Sequence, residues 1–149
     1  MTKKHVKTAY IVFQVLLIGF MFLPVGVAVA SDASPMLSLS VFGMIQRYGG
    51  MGFSNDALVY LVFACALPIL SVVLLLRMKE RKNFGTVSWL SAFYTLVAAC
   101  FFSAAKEKMV DSVSMTGLHY VIILVSLAAM IAAILGFFLA APKPNGEAE

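Results

Sequence analysis

The charged residues of this chain leave four long stretches without a single charge. Uncharged runs of 24, 20, 23 and 31 residues lie between Lys7 and Asp32, Asp56 and Arg77, Lys82 and Lys106, and Asp111 and Lys143. Together they hold 98 of the 149 residues. A helix needs about 20 apolar residues to cross a hydrocarbon core of about 30 Å. The pattern therefore indicates a membrane protein and excludes a soluble globular domain, a disordered chain and a nucleic-acid-binding domain, despite a pI near 9.2.

The four runs predict an all-α fold, an integral membrane four-helix bundle that forms a single transmembrane domain over residues 1–149. The spans are expected at about 9–30, 58–76, 86–105 and 118–141, with an outer segment at 31–57. Backbone groups inside lipid must be hydrogen-bonded within the segment, and the runs lack the alternating polarity of barrel strands. Helices are therefore expected in all four spans.

The distribution of lysine and arginine predicts the orientation of these spans. Three of the eleven basic residues, Arg47, Lys106 and Lys108, lie on one side of the predicted membrane, and the other eight lie on the opposite side. Cytoplasmic loops carry an excess of Lys and Arg. The sequence thus predicts cytoplasmic N and C termini (N-in/C-in) in a bacterial-type inner membrane or a plasma membrane.

The first span has a second interpretation, as a cleaved signal peptide. A basic stretch up to Lys7 precedes an apolar run, and Ala28-Val29-Ala30 matches an A-x-A cleavage site. Cleavage would leave three spans and an outer N terminus. The uncleaved helix is favoured because the charge-free run is long enough for a complete span.

The predicted spans contain few polar side chains and no ionisable residue near their centres. Ion-coupled carriers usually need a carboxylate, histidine or lysine there, so an active transporter is disfavoured. His119 at the start of the fourth span is interpreted as an interfacial residue, and Cys65 and Cys100 as apolar filler. No acid–base pair or metal cluster is visible in the sequence, so no catalytic, metal or cofactor site is predicted.

Small residues recur every four positions in the third and fourth spans. Such rows let two helix backbones approach closely. They predict that these helices pack tightly against each other or against a partner. The residues concerned are Ser91, Thr95, Ala99, Ser103, Ala128, Ala132, Gly136 and Ala140.

The outer segment combines apolar residues with a glycine-rich stretch. Leu37, Val41, Met44 and Ile45 form a helical stripe, whereas alternation with serines around Leu39 is typical of a strand. A short amphipathic or re-entrant helix in this first outer loop is favoured. The candidate partner-binding residues are Phe42, Ile45, Arg47, Tyr48, Gly49, Gly50 and Gly52.

Two functional hypotheses follow from these observations. The first is a non-enzymatic accessory or structural subunit of a larger membrane complex, in contact with the lipid bilayer and with other membrane subunits or copies of itself. The alternative is a homo-oligomeric channel or facilitator for a small solute, lined by the hydroxyls of the third helix. Neither hypothesis includes a cofactor or a nucleic-acid partner.

Overall fold

The computed structural model describes residues 2–28, 37–77 and 80–140, which are mostly helical. The helices are α1 Lys3–Phe20, α2 Val41–Tyr48, α3 Ser54–Arg77, α4 Glu80–Lys108 and α5 Leu118–Leu139, and the strands are β1 Pro24–Ala28, β2 Ser38–Ser40 and β3 Val113–Met115. A π-helical turn, Gly49–Phe53, joins α2 directly to α3.

Three stretches within the described residues are long and apolar enough to cross a membrane. They are Val41–Arg77, Asn83–Lys108 and Leu118–Leu139. The predicted spans 58–76 and 86–105 lie inside the first two, and span 118–141 begins with the third; residue 141 is outside the described residues. Helix α1 is not among the three, and its 18 residues include three lysines.

The prediction of a helix throughout 9–30 is wrong for residues 21–28, and residues 29 and 30 lie outside the described residues. Helix α1 ends at Phe20, and Pro24–Ala28 forms a strand instead. Proline lacks the backbone N–H that a continuing helix would need. Gly26 allows close packing of this strand, because a Cβ atom there would lie 2.7 Å from Met44 Cε and 2.9 Å from Val113 Cγ1.

The three strands form a small antiparallel sheet that the all-α prediction missed. Their order is β2-β1-β3, so the central strand is paired on both edges. Val27 is opposite Ser38 in β2 and opposite Ser114 in β3. The sheet thus ties the segment after α1 to the loop between α4 and α5.

The predicted short amphipathic helix of the outer segment is present as α2. Its buried residues, Val41, Met44, Ile45 and Tyr48, lie on one helical face. The Ser40 hydroxyl caps it by accepting a 3.1 Å hydrogen bond from the Gly43 backbone N–H. The strand-like serine alternation corresponds to β2, immediately before this helix, while residues 31–36 lie outside the described residues.

The long helices pack around two apolar clusters. Helix α4 packs against α3 and α5, and α1 packs against the same two helices. One cluster lies toward the sheet and includes Leu17 and Phe102; the other includes Val6, Phe84 and Ala133. We call the end of the molecule that carries the strands the sheet-bearing end.

Gly136 of α5 packs directly against the ring of Phe84 in α4. A Cβ atom on Gly136 would lie 2.3 Å from Cδ1 and Cε1 of Phe84, whose ring is buried. By contrast, a Cβ atom on Gly19 of α1 would have no heavy atom within 4 Å. These two helical glycines therefore make a matched pair for testing the packing.

We expect Gly136→Ala to lower the free energy of unfolding by about 1–3 kcal/mol, since the added methyl group would overpack the Phe84 site. Gly19→Ala should instead stabilise the protein by roughly 0.5–1 kcal/mol, because alanine favours the helix. Thermal unfolding of both variants in one detergent would test this. Equal effects of the two substitutions would contradict the packing of Phe84 on Gly136.

Candidate functional site

A layer of polar side chains crosses the molecule between the two apolar clusters. Each long helix α1, α3, α4 and α5 contributes a buried polar residue to it, and each such residue lies three or four positions from a buried apolar residue on either side. These residues, here called the polar layer, are Gln14, Ser71, Ser91 and Ser126. Asn83 and His119 are also buried, but they lie near the starts of α4 and α5 and are not part of this layer.

Hydrogen bonds join α1 to α4 within this layer. Gln14 Nε2 donates to Ser91 Oγ at 3.4 Å, Ser91 Oγ lies 2.8 Å from the Tyr10 hydroxyl, and that hydroxyl donates to the Val87 carbonyl at 3.3 Å. One consistent direction, from Gln14 through Ser91 and Tyr10 to Val87, gives each hydroxyl one proton to donate. Ser71 of α3 also faces the Tyr10 hydroxyl.

A second set of hydroxyls joins α4 to α5. Thr95 Oγ1 lies 3.0 Å from Ser126 Oγ and 2.9 Å from the Ser91 carbonyl oxygen. Ser126 Oγ in turn donates to the Ile123 carbonyl at 2.8 Å. The single Thr95 proton is therefore shared between an acceptor on its own helix and one on α5. The polar side chains of the layer thus hold neighbouring helices together.

The small residues singled out in the sequence have different environments. Ser91, Ala132 and Gly136 are buried, and Ser103 is exposed. Intermediate exposure is shared by the other four, which are Thr95, Ala99, Ala128 and Ala140. The two rows therefore do not lie along the α4–α5 contact over their whole length, since Ser103 faces outward.

Tyr48, one of the candidate partner-binding residues, is not available to a partner. Its side chain is only 3% exposed. The ring stacks on Phe53 at a centroid distance of 4.8 Å and meets Tyr60 and Phe101 edge-on at 6.3 and 6.0 Å. Tyr48 thus anchors the junction of α2 and α3 in the core.

Three other candidates line a groove of about 310 Å³ between α2 and α3. They are Phe42, Ile45 and Gly49, and Leu58 and Leu61 of α3 form its opposite wall. Phe42 is 47% exposed. It also borders a second apolar groove of about 280 Å³ between α1 and α3. We call these together the Phe42 grooves.

The remaining candidates lie at the bend between α2 and α3. Arg47, Gly50 and Gly52 are all exposed. Gly52 has a φ of 100°, a left-handed conformation that glycine adopts without steric cost. The bend places Gly49 beside Ala57, because a Cβ atom on Gly49 would lie 3.0 Å from the Ala57 Cβ. Of these three glycines, Gly49 lines one of the Phe42 grooves.

A small apolar cavity of about 20 Å³ lies between α2 and the four long helices. This is room for about one water molecule. Its lining is apolar except for the side chains of Tyr60 and Tyr94, and it includes Leu17 and Ile45. A cavity of this size and composition is too small for an organic substrate.

A polar cleft lies where α4 ends and α5 begins. Its volume is about 370 Å³. Lys106, Thr116, His119 and Tyr120 line it, together with the residues of β3. Lys106 and His119 come to the same cleft through the turn and strand that lie between them in the chain.

The two cysteines are free and exposed. Cys65 borders one of the Phe42 grooves, and Cys100 lies on α4. Within the described ranges, no group of three or more His, Cys, Asp or Glu residues is arranged to hold a metal ion.

Ser91→Ala tests the polar layer. We expect a loss of about 1–2 kcal/mol in the free energy of unfolding, since Gln14 and Tyr10 would lose a buried partner. Ser103→Ala, in the same row but exposed, should change it by less than about 0.5 kcal/mol. Reversible unfolding in mixed detergent micelles would measure both. A neutral Ser91→Ala would show that these hydrogen bonds add nothing to stability.

Comparison of the chain with protein-family models, with curated proteins and with solved structures finds no match.

Proposed function

We propose that this protein is a four-span integral membrane protein that serves as a non-enzymatic accessory or structural subunit of a larger membrane complex. In this proposal α1, α3, α4 and α5 form the four-helix bundle. Its partners are other membrane subunits, contacted through the Phe42 grooves, and the surrounding lipid.

The packing of α1 supports its assignment as a fourth span. Its side chains Tyr10 and Gln14 are hydrogen-bonded in the core against α4, a helix apolar enough to cross a membrane. The 13 uncharged residues of α1, 8–20, are about 20 Å long at about 1.5 Å per residue, and the uncharged strand β1 continues the crossing toward the thickness of the hydrocarbon core, about 30 Å. The strand that follows is hydrogen-bonded on both edges, as irregular backbone near lipid must be.

The same packing favours an uncleaved first span. Removing α1 would expose the buried Ser91 and its hydroxyl to lipid. With α1 retained, the excess of basic residues at one end supports cytoplasmic N and C termini. The sheet-bearing end then faces outward, together with Arg47, Lys106 and Lys108.

One observation carries the proposal of a structural role: the side chains of the polar layer form contacts between helices. Two of the α4 hydroxyls that a solute path would need are engaged by neighbours: Ser91 by Tyr10 and Thr95 by Ser126. Ser91 is also buried inside a single chain, whereas Ser103 is exposed. The homo-oligomeric channel would therefore have to use Ser103 without these two hydroxyls, and the subunit hypothesis has the stronger support.

The Phe42 grooves offer a partner a preformed apolar surface. Phe42 projects between the two grooves, and its backbone N–H is held by the Met21 carbonyl at 3.3 Å. Partner helices or apolar loop residues gain packing contacts in such grooves that flexible lipid chains fill less well. A partly exposed aromatic ring in a recess is typical of residues that dominate an interface.

Native mass spectrometry of the full chain, purified from its natural membrane in mild detergent, would test the proposal. We expect a stoichiometric partner subunit on the wild-type chain of 16.1 kDa. Phe42→Ser should weaken that complex about thirty-fold, the equivalent of about 2 kcal/mol. The matched control is Phe138→Ser, since Phe138 is also exposed but lies at the far end of α5.

A wild-type chain recovered only as a monomer would contradict the proposal. Recovery of multiples of this chain alone would instead favour self-association, and solute flux in reconstituted vesicles would then test the channel. Equal loss of the partner with both serine variants would show that the Phe42 grooves are not the contact surface.

A further inference from the structure

Basic side chains are concentrated at the end of the molecule opposite the sheet-bearing end, here called the basic end. Lys4 and Lys7 lie in the first two turns of α1, and Arg77 is the last residue of α3. Val6 and Leu75, their near neighbours in the chain, are buried in the same apolar cluster. The cations of α1 and of α3 therefore lie at about the same level of the bundle.

The two ends of the molecule differ in their balance of charge. At the sheet-bearing end, three basic side chains are balanced by three acidic ones. They are Arg47, Lys106, Lys108, Asp56, Glu107 and Asp111. At the basic end, the charged side chains that the structure describes are all basic, and those of Lys4 and Arg77 are exposed. A partner of this surface is therefore expected to carry negative charge.

A tryptophan marks the basic end as a boundary between hydrocarbon and water. Trp89 of α4 is 80% exposed. Ser91, two residues further along α4, lies 2.8 Å from the Tyr10 hydroxyl, which places Trp89 within about one helical turn of the level of Lys7. Exposed indole rings are enriched at the headgroup level of a bilayer. The basic residues and Trp89 thus indicate the same membrane surface independently of each other.

The position of the positive charge selects the source of the negative charge. Residues 8–20 of α1 are uncharged, so Lys7 is fixed where the helix enters the apolar part of the bundle. The phosphate groups of phospholipids lie in this plane, and a leaflet that contains anionic lipids attracts basic residues near its surface. Each lysine or arginine there contributes about fivefold in affinity. Lipid headgroups therefore meet these cations without leaving the membrane surface.

We propose that the basic end binds anionic phospholipids of the leaflet on its side of the membrane, through Lys4 and Lys7 of α1 and Arg77 of α3. The phosphate groups of these lipids supply negative charge to a surface whose described charged side chains are all basic. The inference rests on the proposed function only in placing α1 within the bilayer, and it does not require a partner subunit.

Native mass spectrometry of the full chain in detergent, titrated with two lipids of identical acyl chains, tests the proposal. Phosphatidylglycerol carries a net negative charge and phosphatidylcholine carries none. We expect the lower Kd for phosphatidylglycerol. The double variant Lys4→Gln with Lys7→Gln should raise that Kd about thirtyfold and leave the Kd of phosphatidylcholine unchanged.

Two further double variants separate the effect of this surface from that of overall charge and of helix structure. Lys106→Gln with Lys108→Gln removes the same charge from the sheet-bearing end, and it should leave the Kd of phosphatidylglycerol unchanged. Lys4→Arg with Lys7→Arg keeps the charge and a good helix former at both positions. This variant should bind phosphatidylglycerol as tightly as the wild-type chain.

Four results would overturn the proposal. They are equal affinity of the wild-type chain for both lipids, equal weakening by the two glutamine double variants, loss of binding in the arginine variant, and displacement of phosphatidylglycerol by an equal concentration of inorganic phosphate. The last would assign the basic end to a soluble anion. A chain that prefers phosphatidylglycerol but is recovered without a partner subunit would contradict the proposed function alone.

Discussion

The rest of the fold depends on the alignment of one buried polar residue from each of the four long helices. Apolar side chains determine the register of helices in lipid only weakly, because lipid tails are as apolar as a neighbouring helix. An unsatisfied polar group there costs several kcal/mol. Gln14 reaches Ser91, and Thr95 reaches Ser126, in this alignment of their helices, and a shift of one helix along its axis would separate these partners. The polar layer thus sets the register, and the apolar clusters fill the space on either side.

This register also explains the sheet. With Tyr10 at the level of Val87, α1 ends at Phe20 while α4 continues to Lys108. The chain after α1 therefore runs beside the ends of longer helices, and its backbone groups need partners there. Strand β1 finds them on both edges, in β2 and β3. A short first helix and a small sheet are two consequences of one alignment.

The sequence predicted the parts of the fold that depend on local composition. Charge-free runs located three apolar helices within the described residues, since length and polarity are local properties. Strand β1 was missed because an apolar run does not distinguish a helix from a fully paired strand, and β3 is far away in sequence. The same limit applies to the sites. Tyr48 looked accessible because its partners Phe53, Tyr60 and Phe101 come from other elements. The cleft depends on the turn and strand that bring the end of α4 and the start of α5 to one surface.

The strand order places the Phe42 grooves and the polar cleft at opposite edges of the sheet. Strand β2 leads directly into α2 and the Phe42 grooves, whereas β3 leads into α5 and borders the polar cleft. Because β1 lies between them, the two surfaces do not overlap. Gly26 of β1 lies against both Met44 of α2 and Val113 of β3, where a Cβ atom would come within 3 Å of each. The absence of a side chain at Gly26 is therefore what allows the elements that border the two surfaces to pack on the same central strand.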